Sequence, residues 1–176
     1  MHWQPIASIT LGDRWPGPGG HGILMPDYGG NRTARLFNRG DMARTHRQTH
    51  DAGRHFVVAE ALLRGYPAAL VGASSHVEVN GHKALVQVAA KGAWQIADVD
   101  DYTSGTIKHI ILVDLTENQR EFYICPGDKL RTEVSERHDQ FLARHGGSRP
   151  RTPDSKHAAI HPQDVQRWHD GWDRLA

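Results

Sequence analysis

An Asn80-Gly81 pair set between two alternating runs constrains this chain more than any other feature. Residues 76–94 read HVEVNGHKALVQVAAKGAW. Val77 and Val79 alternate with His76, Glu78 and Asn80, and Val86 and Val88 alternate with Leu85, Gln87 and Ala89, the period of two that marks strands. Asn-Gly suits a two-residue turn in which both central residues take positive φ, so the two runs are expected to form a β-hairpin. Side chains two apart on a strand share a face. Gln87, Ala89 and Lys91 are then expected to point one way, with Glu78 facing them across the ladder.

The rest of the pattern builds a layered domain around that hairpin. Residues 45–64 read as a helix whose apolar block, from Phe56 to Leu63, is too broad for an exposed face, so its C-terminal half is expected to be buried. Gly65 supplies a left-handed cap. YPAALV at 66–71 reads as a strand with Pro67 at its start, where a missing N–H is tolerated. IKHIILVDL at 107–115 is a near-continuous apolar run, expected as a central strand covered on both faces, with EFYIC at 121–125 as its partner. A helix over 128–143, a basic Gly/Pro/Ser loop over 144–157 and an amphipathic helix over 162–175, marked by Val165, Trp168, Trp172 and Leu175, complete the chain. This order predicts an α/β domain over residues 45–176, a mixed central sheet flanked by helices. Residues 1–44 form a Gly/Pro-rich N-terminal extension with short strands expected at 6–11 and 23–25. Such an arm would cover the sheet, bind a partner or complete a homodimer.

Composition narrows the function classes. At 176 residues and 38% hydrophobic the chain can bury a core, yet it has no run of about eighteen apolar residues to span a membrane. It shows no signal-peptide pattern, and Cys125 alone cannot form an internal disulfide, so a cytoplasmic location is expected. Cys125 lies in an apolar segment and reads as a packed thiol. A net charge of +1 says little, but the arginines are clustered. Arg44, Arg47 and Arg54 belong to one group, and Arg149 and Arg151 to another, and both are candidates for phosphate contacts with nucleic acid. The alternative for each is a solvated helix face and a polar loop. His46 and His50, four apart on the first helix, share a face, but no Glu follows the first His and no Cys pair exists to complete a zinc site.

From about Gly53 to Leu175 the chain resembles small prokaryotic proteins of the PD-(D/E)XK nuclease superfamily, with the restriction-endonuclease-like fold. The resemblance is carried by GRHFVVAEALLRGY at 53–66, HVEV at 76–79, VQV and KGAW within 86–94, IILVDL at 110–115, EFYICP at 121–126 and RWHDGWDRL at 167–175. It implies that Glu78 and Gln87 occupy the two Mg²⁺-ligand positions and that Glu60 matches a helix acid that helps hold the metal. A hard cation with oxygen ligands lowers the pKa of its bound water and stabilises charge on the phosphate.

Where the superfamily keeps a Lys to orient the attacking water, this chain has Ala89. Removing an oriented charged donor commonly costs about a hundredfold in rate. Lys91 shares the strand parity and stands as the substitute catalytic residue, its Cα about 6.6 Å further along. Natural loss of catalysis, migration of the Lys to position 91 and an engineered Ala each account for the pattern. The leading expectation is a DNA-binding protein with a degenerate site and weak or no cleavage. The alternatives are an active Mg²⁺-dependent endonuclease using Lys91, and a protein-interaction module that inherited the fold.

Overall fold

A computed structural model describes residues 45–116 and 120–176. The readings made for residues 1–44, Arg44 and the two short strands included, lie outside the described residues.

Helix α1 (His46–Leu63) begins on a capping box, in which Thr45 Oγ1 accepts from the Gln48 N–H at 3.2 Å and Gln48 Oε1 accepts from the Thr45 N–H at 2.9 Å. Two otherwise orphaned donors of the first turn are thereby satisfied. Gly65, at φ +85°, closes the helix in the left-handed conformation read from the sequence. Strands β1 (Ala68–Leu70), β2 (His76–Val79) and β3 (His82–Ala89) form an antiparallel meander. Between β2 and β3, Asn80 and Gly81 have φ of 50° and 79°, the pair of positive values that the turn requires.

After β3 the chain forms β4 (Trp94–Ile96) and the short helix α2 (Val99–Thr103), then returns as β5 (His109–Asp114), parallel to β3. Strand β6 (Glu121–Pro126) pairs antiparallel to β5 and leads into α3 (Gly127–Arg144). The sheet order is β1-β2-β3-β5-β6, a mixed five-stranded sheet in an α/β domain. Strand β7 (Ala158–Ile160) pairs with β4 in a separate two-stranded sheet, and α4 (Pro162–Val165) follows.

Pleating divides the core in two. Val77, Val79, Ala84, Val86, Ile111, Val113 and Ile124 face α1, where Val57 and Ala61 are fully buried. Ala89, Ile110, Leu112, Tyr123 and Cys125 face the other way, onto Leu130 and Val134 of α3 and onto Trp94, Ile160 and Trp168. Strand β5 is buried from Ile110 to Asp114, as expected of an apolar run covered on both faces.

The final segment departs from the expected continuous helix. It is α4 followed by two 3-10 turns, Gln166–Trp168 and Trp172–Leu175. The break lies where Asp170 takes φ 52°, its N–H donates to Phe122 O at 2.8 Å and His169 bridges Tyr123, so the chain is drawn onto the edge of β6. Val165, Trp168, Trp172 and Leu175 are all buried nonetheless. Among the described residues no helix is long and apolar enough to cross a membrane.

Candidate nucleic-acid interface

The proposed metal ligands fall in three different surroundings. Glu60, on α1, lies on the Val57 side of the sheet and accepts from Arg64 Nε at 2.9 Å. Glu78 alternates with the buried Val77 and Val79, so it points to the opposite face, where it is exposed and stands directly across from Lys83. Gln87 shares that face but sits four residues beyond Lys83, about 13 Å further along the strand. The expectation that the two carboxylates and the amide meet in one notch is therefore not met, and the reason is pleat and register: one acid lies behind the sheet and the other at its far end. Among the described residues no group of three His, Cys, Asp or Glu side chains converges as a metal site. One amide oxygen does not fit Mg²⁺, which calls for several hard oxygen ligands.

Gln87 and Lys91 do line a common cleft of about 570 Å³, with His46, Thr49, His50, Ser75 and Gln95. Its origin is the early end of a ladder. Strand β2 starts at His76, opposite Leu85, and the last link to the preceding residues is Val86 N–H to Ser75 O at 2.8 Å. Beyond that point β3 has no strand neighbour on this side among the described residues, and α1 replaces β2: His50 Nε2 donates to Val86 O at 3.2 Å. The alternation then turns the Val88 N–H and C=O toward the cleft. Helix α1 comes this close because of Gly53, where an added Cβ would collide with the Val88 side chain.

The floor and the far wall are fixed from the other side of the sheet. Ala89 is 2% exposed and packs into the α3-side core. Burial pushes the Tyr102 phenol well above its ordinary value, and its hydroxyl donates to Gln87 Oε1 at 3.5 Å. Asp114 accepts from the Thr116 N–H at 2.9 Å and from its hydroxyl at 2.5 Å, and Thr116 Oγ1 accepts from the Gly92 N–H at 2.7 Å. Trp94 Nε1 donates to Val113 O at 3.1 Å. The segment bearing Lys91 is thus clasped to the end of β5, while Lys91 itself is exposed.

The arginine candidates separate as well. Arg47 is exposed on α1, one turn from Asp51. Arg54 has a side chain only 6% exposed, donates through Nη2 to Gly72 O at 2.8 Å and lies 3.7 Å from Asp51, so it braces the loop before β2 and presents no face to a ligand. This corrects its assignment as a phosphate contact. Arg149 is half-buried over the Phe141 ring on the α3 side, and Arg151 is exposed in the loop before β7. Arg47 and Arg54 on α1 and Arg149 beside α3 therefore lie on opposite faces of the sheet and do not form one surface.

Thr49, Ser75 and Gln95 went unread in the sequence because each comes from a different element and none carries a motif. The His46/His50 spacing was the one available signal, since a shared helical face is what brings both imidazoles to the cleft. Nearby, burial, reinforced by Lys83 and Arg54, holds the His76 imidazole below its ordinary value. Cys125 is buried, and burial raises its thiol far above the usual range, in keeping with a packed thiol. Comparison of the chain with protein-family models, with curated proteins and with solved structures gives no match.

Proposed function

We propose that this chain is a nucleic-acid-binding protein of the cytoplasm, built on a restriction-endonuclease-like framework, that holds DNA in the β3 cleft and has lost cleavage. The antiparallel meander β1-β2-β3, the crossover to a parallel β5 and the helices on both faces are the arrangement expected of that framework. The observation that carries the reading is the composition of the cleft among the described residues: Lys91, two imidazoles, two amides and two hydroxyls, with no carboxylate among those that line it. Such a surface attracts a phosphodiester and offers it donors, whereas carboxylates without a bound cation would repel it. The same composition leaves a hard cation without the anionic ligands that a phosphodiesterase centre uses.

Fluorescence anisotropy with duplex and single-stranded oligonucleotides over a salt series tests this. Binding should weaken steeply with salt, and Lys91→Ala should reduce it by about threefold to tenfold at low salt. Plasmid incubated with Mg²⁺ or Mn²⁺ should remain uncut. Robust cutting by the chain as written would overturn the loss of catalysis, and absence of binding at low salt would favour the protein-interaction alternative.

A further inference from the structure

A second cavity, of about 410 Å³, lies between α3, the loop before β7 and β7 itself. Its wall includes Arg137, His138, Phe141, Arg144, Arg149 and His161. Four buried side-chain nitrogens among the described residues have no hydrogen-bond partner, and three of them belong to this wall: Arg137 Nη2, His138 Nε2 and Arg149 Nε. Buried polar groups are nearly always satisfied, so their coincidence around one opening points to a missing acceptor. His138 is 9% exposed, and its buried Nε2 has no hydrogen-bond partner among the described residues.

The charges agree. Of Arg137, Arg144 and Arg149, Arg137 alone has a carboxylate partner among the described residues, Asp164, which pairs with its Nη1. Arg137 Nε donates to Glu133 O at 3.2 Å, and the Glu133 carboxylate itself is engaged by Arg167. Arg149 is aimed by the Phe141 ring, 4.8 Å beneath its guanidinium, and by donation from Nη2 to His157 O. Arg144 is exposed at the rim and donates through Nε to Gln140 O at 3.1 Å, and among the described residues neither terminal nitrogen has a partner. Three guanidiniums around one opening suit an anion with several acceptor oxygens better than a single carboxylate, because the donors left over, Arg137 Nη2, Arg149 Nε and the terminal fork of Arg144, outnumber the two oxygens of a carboxylate.

We propose that this cavity is a phosphoryl-group site, with Arg144 and Arg149 gripping the oxygens and Arg137 and His138 completing the cradle. The inference does not rest on the reading of the β3 cleft, which lies elsewhere and uses none of these residues.

Isothermal titration of the full chain with inorganic phosphate is the test, repeated with a 5′-phosphorylated oligonucleotide and its 5′-hydroxyl counterpart. Saturable phosphate binding is expected, weakened about tenfold by Arg144→Ala and by Arg149→Lys, which keeps the charge but loses the fork. Lys129→Ala, an exposed α3 residue outside the cavity, should bind as the parent does. A preference for the 5′-phosphorylated strand would identify a nucleic-acid end as the source of the group, and binding of phosphate alone a small anion; either supports the site. Absence of saturable binding, or binding that both variants leave intact, overturns it. Should Arg149→Lys fail to fold, Arg144→Ala decides alone, because its side chain is exposed. Lys91→Ala should leave phosphate titration unchanged, which separates failure here from failure of the β3 cleft.

Discussion

The cleft on the open edge of β3 and the cavity beside α3 differ in how their polar atoms are matched. In the cleft the fold supplies the partners: His50 serves Val86 O, Thr116 serves the Gly92 N–H and Tyr102 serves Gln87. In the cavity, guanidinium and imidazole nitrogens are left over. The first is a shape produced by backbone, set by where β2 begins and how closely α1 approaches. The second is a charge arrangement produced by side chains on one helix and one loop. A site of the first kind should be sensitive to packing and tolerant of single polar changes; the second should be the reverse.

The largest perturbation should come from the residue that serves both. Trp94 lines the cleft, while its strand β4 pairs with β7, whose Ala158 and Ala159 line the cavity. Trp94→Ala should cost about 3–5 kcal/mol by chemical denaturation and weaken DNA and phosphate binding together. Loss of one without the other would show the two regions to be mechanically independent. Gly53→Ala should come next, at about 1–3 kcal/mol, because the new methyl meets Val88 and pushes α1 off the β3 edge. DNA affinity should fall with it and phosphate affinity should not.

A smaller effect is expected from acid. Burial holds the His76 and His109 imidazoles below their ordinary value, so above about pH 6.5 both states of the chain carry them neutral. As the pH falls below that value the unfolded chain takes up protons first, and stability should decline until the folded-state values are passed. Thermal midpoints between pH 7.5 and 5 should therefore drop, and His109→Gln should flatten the curve. The least effect belongs to Glu78→Gln: an exposed strand residue outside both regions should change stability by less than about 0.5 kcal/mol and leave both affinities alone. A large loss of DNA affinity in that variant would place the interface on the exposed β1-β2 face instead.

Local signals carried the sequence reading far. Asn80-Gly81 and Gly65 each encode a conformation within four residues, and the hairpin and the left-handed helix cap form as expected. Strands β4 and β7 were missed for the opposite reason: each is three residues long, and what makes Trp94–Ile96 a strand is a partner more than sixty positions away. The last helix was misread because the spacing of Val165, Trp168, Trp172 and Leu175 reports burial correctly but not the pull of Phe122 O on Asp170. For the site, parity put Gln87 on the face of Leu85 and Ala89, but β3 ends at Ala89 and Lys91 reaches the cleft from the bend that follows, outside the reach of strand alternation. Parity, moreover, fixes a face and not a position along it. That is why Glu78 shares a side with Gln87 without meeting it. Arg54 and Arg47 look alike in sequence, and only the tertiary approach of α1 to the loop at Gly72 buries one and exposes the other.

The Asn80 side chain donates through Nδ2 to Leu175 O at 2.9 Å, across 95 positions. Leu175 and Trp172 fill the same core that the hairpin strands Val77 and Val79 line. The locally specified hairpin of the domain is thus sealed by a segment that lies 95 positions further along the chain. Closing so long a span is entropically slow relative to forming the turn itself. A nascent hairpin can already pack on α1, but the part of its apolar face that Trp172 and Leu175 cover stays open until residues 172–175 arrive, an interval that favours misassociation.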